Sequence, residues 1–243
     1  SRGMKAVGKQ LHKPQLILVV SAHWETTGVH ITAMPKPRTI YDFRGFPEAL
    51  YQIHYPAPGA PDFALKTCET LHSFNVHPNY DWGLDHGAWS VLHNMFPEAN
   101  IPVVQLSLNV SWNATAHYEF SKSLKALRSK GVLILGSGNI VHNFSQIAFD
   151  VSHQGDFNHP FAHNWANEAN ETFKNWIRYR NTSNLCNYNS YSSALKLAVP
   201  TPEHYLPLLY TLGALEPNET VDFFNDQLIA GSFSMTSFVS KTI

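Results

Sequence analysis

Three runs of apolar residues dominate the hydrophobic pattern of the chain, and each ends in small or polar residues. They span Gln15–Trp24, Ile101–Leu108 and Gly131–Gly138. Uninterrupted apolar runs of this length predict strands that are buried on both faces of a sheet. Segments with helical spacing separate the runs, and a strand, a helix and a strand in succession imply right-handed crossovers between parallel strands. The pattern therefore predicts one α/β domain with a parallel core sheet and flanking helices.

The hydrophobic pattern indicates the remaining helices and strands less clearly. Short strands are predicted over residues 28–34 and in the closing segment GSFSMTSFV, where apolar and polar residues alternate. Helices are predicted over residues 62–74, 115–130 and 161–180, and two more begin at the capping residues Asp85 and Thr201. The polar segment 181–193 predicts a loop. Residues 35–61 are rich in proline and aromatics, which predicts an ordered loop that forms one wall of a pocket.

The composition of the chain excludes several classes of binding partner. The 243 residues carry a formal net charge of −1 with scattered lysines and arginines, so the chain lacks the basic surface that binds nucleic acid or an anionic membrane. No apolar run approaches the length of a membrane span. Two cysteines without a CxxC pair, and no visible signal peptide, predict a reducing compartment, the cytoplasm. The predicted partner is a small molecule.

Four of the 14 histidines occupy positions where polar groups converge in an α/β sheet. His23 lies at the tip of the first buried run, His142 follows the third, and His86 and His204 fall in the first turns of two predicted helices. Neutral imidazoles bind zinc or iron, and the positive end of a helix disfavours their protonation. Each histidine alone has a structural alternative, a hydrogen bond to a carbonyl or a helix cap. No HExxH, GxSxG or glycine-rich phosphate motif supports another chemistry.

Further residues are candidates for the lining of the pocket. They are Tyr41, His54, Tyr55 and Tyr205, and packing beneath the long loop is the alternative explanation for each. We select His54, Tyr205 and Asn143, the neighbour of His142, as the substrate-binding candidates.

Six segments resemble the class III extradiol ring-cleavage dioxygenases, in order and over nearly the whole chain. They are SAHWET, YDFRGFPEALYQIHYPAPGAP, GLDHGAWSVL, IPVVQLSL, GSGNIVHN and TPEHYLPLLYTLGA. The most similar branch is the 4,5-DOPA extradiol dioxygenase group, often described as zinc-binding. The resemblance implies a single catalytic α/β domain over residues 1–243, with a central mixed, mainly parallel sheet and a non-haem metal at its edge.

The resemblance also implies roles for individual residues. His23, His142 and His204 match metal ligands, and His86 in the DHG segment matches an acid/base and substrate-orienting residue. In some iron-dependent relatives the histidine that resembles His142 is the base, so ligand and base are alternatives for it. The implied cofactor is one divalent non-haem metal, Zn²⁺ or Fe²⁺, and the implied partners are a catechol similar to DOPA and O₂. We expect a monomer or a small homo-oligomer.

The chain departs from the family pattern at its start. The family begins with a strand that ends in GHGSP and supplies a further histidine ligand, and no such segment precedes Ser1. We expect that these residues are absent because they were disordered or cut away, since residues 1–13 are typical of the end of a helix; a naturally shorter protein is the alternative. Two alternatives to a dioxygenase are a zinc hydrolase on the same histidines and a binding module without the chemistry. Because ring cleavage passes electrons through the metal, we expect Fe²⁺ for turnover.

Overall fold

The computed structural model describes residues 1–150, 153 and 156–242, and its central element is a five-stranded sheet. The strands of this sheet are β1 (Leu16–Thr26), β2 (Val29–Thr32), β3 (Val76–Asn79), β4 (Val103–Asn109) and β5 (Val132–Ser137). Their order is β3-β2-β4-β1-β5. β1 is parallel to β4 and β5, β2 is parallel to β3, and β2 is antiparallel to β4. The predicted α/β fold with a mixed, mainly parallel sheet is confirmed.

Helices pack on both faces of this sheet. They are α1 (Arg2–Gln10), α2 (Glu48–Tyr51), α3 (Pro61–Thr70), α4 (His86–Met95), α5 (Ala114–Ser121), α6 (Lys125–Arg128), α7 (Asn164–Arg178), α8 (Thr182–Cys186), α9 (Ser193–Ala198) and α10 (Leu206–Gly213). Two short antiparallel pairs lie outside the main sheet, β6 (Glu219–Phe224) with β9 (Ser237–Thr242) and β7 (Leu228–Ile229) with β8 (Phe233–Ser234). Within the described ranges, no helix has both the length and the apolar character needed to cross a membrane.

Side chains of β1 alternate between two hydrophobic cores. Leu18 and Val20 pack in the larger core, together with buried residues of α5, α7 and α10. Ile17 and Val19 point to the opposite face and pack against α4. All four side chains are inaccessible to solvent. Burial on both faces explains why residues 16–20 of this strand are all apolar, as is typical of a central parallel strand.

The helix predicted from Thr201 instead begins at Leu206. Thr201 does not cap it, because its hydroxyl donates to the carboxylate of Glu203 at 2.9 Å. Pro207 lacks an N–H group and is accommodated in the first turn of a helix, which favours a start at this point. His204 therefore lies in the turn before α10. The prediction that it lies in the first turn of this helix is wrong.

The single helix predicted over residues 115–130 is divided into α5, a 3-10 turn and α6. Ser121 donates its hydroxyl to the carbonyl of Tyr118, and Ser123 donates to Phe120, each at 2.6 Å. Hydroxyl groups that bind helical carbonyls compete with the regular backbone bonds of the helix. These serines account for the break.

Three further predictions differ from the structure. The segment 181–193 is not a loop throughout, since it contains α8, which Asn181 caps by accepting the backbone N–H of Asn184 at 3.2 Å. The closing strand is divided between β8 and β9. β3 was not predicted, because its sequence VHPN includes polar His77 and Pro78 and lacks the pattern of a strand.

β5 is an edge strand and borders a groove of about 650 Å³. The groove runs from Val7 and Leu11, near the start of the chain, to His204. In the part of the chain that the structure describes, no strand pairs with the outer edge of β5.

Candidate metal centre

His23 lies in an irregular part of β1 and not at the tip of the strand, where it was predicted. β1 pairs regularly with β4 up to Val20 and again from Glu25, with a shift of register between them. The pairing of β1 with β5 ends at Ser21. Bulges of this kind change the direction of side chains, and they are common beside active sites. The irregularity places His23 where β1 has separated from β5.

The other three histidines reach the same region from loops and from a helix end. His142 lies in the loop that follows β5. His86 is the first residue of α4, and the side chain of Asp85 caps that helix. His204 is held to the loop after β5 by Asn139, which donates its backbone N–H to the His204 carbonyl at 2.8 Å. The side chain of Asn139 also lies 3.2 Å from Nδ1 of His204.

The four imidazole rings form a continuous line of contacts. The ring centroids of His86 and His23 are 4.0 Å apart, and those of His23 and His204 are 5.1 Å apart in an edge-to-face arrangement. His204 and His142 stack at 3.5 Å, with an angle of 6° between their planes. The structure thus brings together all four histidines that the sequence analysis singled out.

Burial favours the neutral form of these imidazoles. It lowers the pKa of His142 to about 4. Burial, and then the adjacent ring of His142, lower the pKa of His204 to about 2. The pKa of His23 is also lowered, first by burial and then by His86. At neutral pH these three rings are therefore unprotonated, which is the form that binds a metal ion.

Donor atoms suited to a transition metal fall into two groups within this region. In each group the donor atoms lie within 4.8 Å of one another; the groups are His23, Asp42 and His86, and His142, Glu203 and His204. Imidazole nitrogen combined with carboxylate oxygen suits zinc or iron, whereas magnesium and calcium prefer oxygen alone. The residues present therefore fit a divalent non-haem metal.

Asp42, from the long loop, is a residue of this site that the sequence analysis missed. Its Oδ1 lies 3.0 Å from Nδ1 of His86 and accepts the backbone N–H of His86 at 2.8 Å. Its Oδ2 lies 3.5 Å from Nδ1 of His23. Burial raises the pKa of the Asp42 carboxyl, but the bonds from His86 outweigh this effect and the pKa is lowered overall. Asp42 could have been found as an acidic residue in the loop that was predicted to line the pocket. Glu203, the acidic residue of the second donor group, could have been found because it directly precedes His204.

Asp85 connects α4 to the strands beneath it. The side chain is fully buried. It accepts hydrogen bonds from the hydroxyl of Ser21 at 2.7 Å, from the backbone N–H of Ala88 at 3.0 Å and from the amide of Gln105. A buried carboxylate is stabilised by several donors of this kind. This network fixes the start of α4, and with it His86, against β1 and β4.

Gly87 allows α4 to approach β1 closely. A Cβ atom at this position would lie 2.5 Å from the hydroxyl oxygen of Ser21 and 2.8 Å from Cδ2 of His23. Both distances are shorter than a van der Waals contact. The absence of a side chain at residue 87 is therefore a condition for the contact between His86 and His23.

Aromatic rings flank both ends of the imidazole line. Phe43 of the long loop lies 5.2 Å from the ring of His86. At the other end, Phe144 and Phe233 lie 4.9 Å and 5.0 Å from the ring of His142. The long loop thus places an aromatic ring beside His86. Apolar surfaces on either side of polar groups suit a flat aromatic ligand.

Two of the three predicted substrate-binding residues have structural roles. Tyr205 is fully buried in the core, and its hydroxyl donates to the carbonyl of Leu185 at 2.8 Å. Asn143 is 3% exposed, and its amide donates to the carbonyl of Leu197 at 2.7 Å. Neither side chain is placed to contact a substrate, which corrects the prediction for both. His54 is exposed on the long loop.

The remaining two lining candidates also pack within the protein. Tyr55 is buried, and its hydroxyl donates to the carbonyl of Phe96 at 2.9 Å. Tyr41 is 37% exposed, and its hydroxyl donates to the carbonyl of Ile53 at 2.7 Å. Both tyrosines hold the long loop in place, which is the packing role given above as their alternative.

Comparison with known proteins supports this interpretation of the site. The family model described as the catalytic LigB subunit of aromatic ring-opening dioxygenase matches residues 3–234. The 4,5-DOPA dioxygenase extradiol of Escherichia coli strain K12 is 43% identical over 241 residues, which cover 98% of this chain and 86% of that protein. The protein of the same name from Beta vulgaris is 36% identical over 233 residues, covering 93% and 82%.

A solved structure gives the same result at the level of the fold. The crystal structure of an uncharacterized protein from Escherichia coli K12 matches with a TM-score of 0.81 and 38% identity, covering 97% of this chain and 89% of that one. The family implies a non-haem metal, an aromatic small molecule and O₂, and the cluster of neutral imidazoles fits such a metal. The chain therefore belongs to the LigB family of aromatic ring-opening dioxygenases, and it is an extradiol ring-cleaving enzyme.

Proposed function

We propose that this enzyme opens the ring of a catechol related to DOPA at an Fe²⁺ ion and incorporates both atoms of O₂ into the product. The observation that carries this proposal is the unbroken line of four imidazoles, His86, His23, His204 and His142, of which three have lowered pKa values. The class of substrate is taken from the relatives, which are named for 4,5-DOPA.

The arrangement of the rings separates ligands from acid/base groups. His23 and His204 meet edge to face at 5.1 Å, so that a nitrogen from each ring can be directed at one point. His142 instead stacks on His204 at 3.5 Å, and its donor atom lies within 4.8 Å of those of His204 and Glu203. We assign His23 and His204 as ligands and His142 as the base, because His142 resembles the histidine that has this role in some iron-dependent relatives. The role of His142 as a third ligand is the alternative.

Fe²⁺, when bound, supplies the electron transfer between the diol and O₂ that redox-inert Zn²⁺ does not supply. The proton transfers fall to residues of the chain. Nδ1 of His86 faces the Asp42 carboxylate at 3.0 Å, which leaves Nε2 to accept the proton of a catechol hydroxyl and places the carboxylate to stabilise the imidazolium that forms. The triad of a base, an orienting acid and a substrate hydroxyl is a general arrangement for this task.

The substrate ring is proposed to lie between the aromatic walls. Phe43 on one side and Phe144 and Phe233 on the other offer apolar faces that would orient a flat ring. His54 is proposed as a substrate-binding residue, since it is exposed on the same loop as Asp42 and Phe43.

Oxygen uptake by iron-loaded protein tests the proposed function. The protein is loaded with Fe²⁺ without air, mixed with DOPA and a panel of other catechols, and followed with an oxygen electrode. We expect O₂ and catechol to be consumed in equal amounts, and the Zn²⁺-loaded protein to be inactive. Folded, iron-loaded protein that consumes no O₂ with any catechol would support the inactive binding module. Ester or amide cleavage by the Zn²⁺ form would support the hydrolase.

Two wider predictions accompany this function. We propose that the protein acts in the cytoplasm, and that it is a monomer or a small homo-oligomer. Cell fractionation tests the first of these, and light scattering on the purified protein tests the second.

A further inference from the structure

A second group of metal-binding side chains lies outside the imidazole line of the proposed active site. It consists of Asp150, His153 and His159, here called the Asp150 cluster, whose donor atoms all lie within 4.8 Å of one another. Nδ1 of His153 and Nε2 of His159 lie 2.9 Å and 3.7 Å from the same carboxylate oxygen, Oδ2 of Asp150. The two imidazole rings stack with a centroid distance of 3.4 Å and an angle of 13°.

A repeated backbone pattern brings these side chains together. The backbone N–H groups of His153, Asp156 and His159 each donate to the carbonyl three residues earlier, at 3.1 Å. Asp156 belongs to the same series, but its carboxylate accepts the backbone N–H of Asn158 at 2.9 Å. The carboxylate of Asp150 and the imidazoles of His153 and His159 thus meet across consecutive hydrogen-bonded turns.

The Asp150 carboxylate places a negative charge beside two imidazole nitrogens, at 2.9 Å and 3.7 Å from the same oxygen atom. A divalent cation would be bound by both rings and by the carboxylate of Asp150 at the same time.

The types of donor atom indicate which cation is bound. Two imidazole nitrogens and one carboxylate oxygen are a common ligand set for zinc, whereas calcium and magnesium require oxygen ligands. We propose that Asp150, His153 and His159 bind a zinc ion, and that water completes the coordination. The side chain of His153 is 49% exposed and that of Asp150 is 28% exposed, so the ion can enter directly from solvent.

This zinc site shares no residue with the catalytic cluster and does not rest on the proposed function. Its segment nevertheless packs near that cluster. The ring of Phe157 lies 6.1 Å from Phe233, and Phe233 lies 5.0 Å from His142. A bound zinc ion would therefore fix the segment that carries Phe157 against the wall of the active site.

Zinc titration of metal-free protein, followed by calorimetry, tests the site with matched variants. His153→Gln/His159→Gln is expected to bind one zinc equivalent fewer than the wild type. The control His12→Gln/His72→Gln, which changes two exposed histidines elsewhere, is expected to match the wild type. His23→Gln/His204→Gln is expected to keep the Asp150 site, which separates it from the catalytic metal. If His153→Gln/His159→Gln binds as much zinc as the wild type, the contacts are ion pairs alone and the proposal is wrong.

Chemical modification locates the bound ion. Diethyl pyrocarbonate reacts with unprotonated imidazole nitrogens, and mass spectrometry identifies the modified residues. In the His23→Gln/His204→Gln background, zinc is expected to slow the modification of His153 and His159 but not that of exposed His72. Equal modification of the two cluster histidines with and without zinc would overturn the proposal.

Discussion

Asp42 binds His86 at two points, since its Oδ1 accepts the backbone N–H at 2.8 Å and lies 3.0 Å from Nδ1 of the ring. One carboxylate thus holds both the first residue of α4 and the orientation of its imidazole. The same carboxylate lies 3.5 Å from Nδ1 of His23. It therefore links the proposed base to a proposed metal ligand.

Replacing Asp42 by asparagine is expected to lower kcat by about 100-fold or more, because a neutral amide stabilises a protonated His86 less well. Metal content should be unchanged, since Asp42 is not among the proposed ligands. Oxygen uptake and metal analysis measure the two effects. Asp81→Asn, at an exposed carboxylate, is the matched control, and a kcat that is unchanged in Asp42→Asn would contradict the role of His86.

His204→Gln and His142→Gln are expected to have different effects. The first should weaken Fe²⁺ binding by at least about 100-fold, because even residues that only support a ligand contribute 10- to 100-fold to affinity. The second should keep the metal and lose turnover if His142 is the base. His93→Gln, at an exposed position of α4, serves as control. Equal loss of iron in both variants would show that His142 is a ligand.

Gly87→Ala is expected to damage the site more than the small size of a methyl group suggests. The added carbon would lie 2.8 Å from Cδ2 of His23 and 2.5 Å from Oγ of Ser21, so α4 must move away from β1. Overpacking of this kind costs about 1–3 kcal/mol of stability. We expect a lower melting temperature and weaker metal binding, and His93→Ala on the exposed side of the same helix should change neither. Wild-type affinity in Gly87→Ala would show that the approach of α4 is not required.

His117 is expected to make the stability of the protein depend on pH. It is fully buried and lies 2.8 Å, through Nδ1, from the hydroxyl of Tyr210. Burial lowers its pKa to about 4, against the opposing effect of the Asn109 backbone. The unfolded chain, with a pKa of about 6.5, therefore binds a proton that the folded protein does not bind. The stabilisation is complete above pH of about 6.5 and is lost as the pH falls towards about 4.

His117→Asn measures this contribution. A shift of this size corresponds to about 3 kcal/mol. Between the same two pH values, the unfolding free energy of the metal-free wild type should therefore fall further than that of metal-free His117→Asn, by up to this amount. The lowered pKa values of His23, His142 and His204, and of the carboxyl groups of Asp42, Glu219 and Asp226, add further pH dependence in both proteins. Urea unfolding at several pH values provides the measurement, with exposed His12→Asn as control. Identical pH dependence in the wild type and His117→Asn would exclude the effect.

The sheet could be predicted from the sequence because its central strands are buried on both faces. β1, β4 and the start of β5 contain apolar residues on both sides of the strand, which leaves little choice of structure. The four histidines could be selected because the sequence pattern placed each at the end of a predicted strand or at the start of a predicted helix, where side chains of an α/β protein converge. These positions meet because the parallel strands end at the same edge of the sheet, so their convergence could be predicted without knowledge of individual contacts.

The errors have local physical causes. Asp42 was missed because its partner His86 is 44 residues away, and nothing near Asp42 in the sequence marks that contact. Thr201 has the pattern of a helix cap, but its hydroxyl binds Glu203. Tyr205 follows a site histidine directly, yet the turn before α10 directs its ring into the core, where it packs on Phe173 at 5.0 Å. Sequence position alone did not distinguish these orientations.

The irregular stretch of β1 makes the spacing between Val20 and Glu25 a functional property of the chain. Because side chains alternate sides along a strand, removing one residue there would turn His23 to the other face of the sheet. All the histidines would still be present in such a sequence, but they could no longer share one ion. Insertions and deletions in this stretch should therefore abolish activity, whereas many substitutions there should be tolerated. A related protein with a different spacing between these two residues is expected to have lost the reaction.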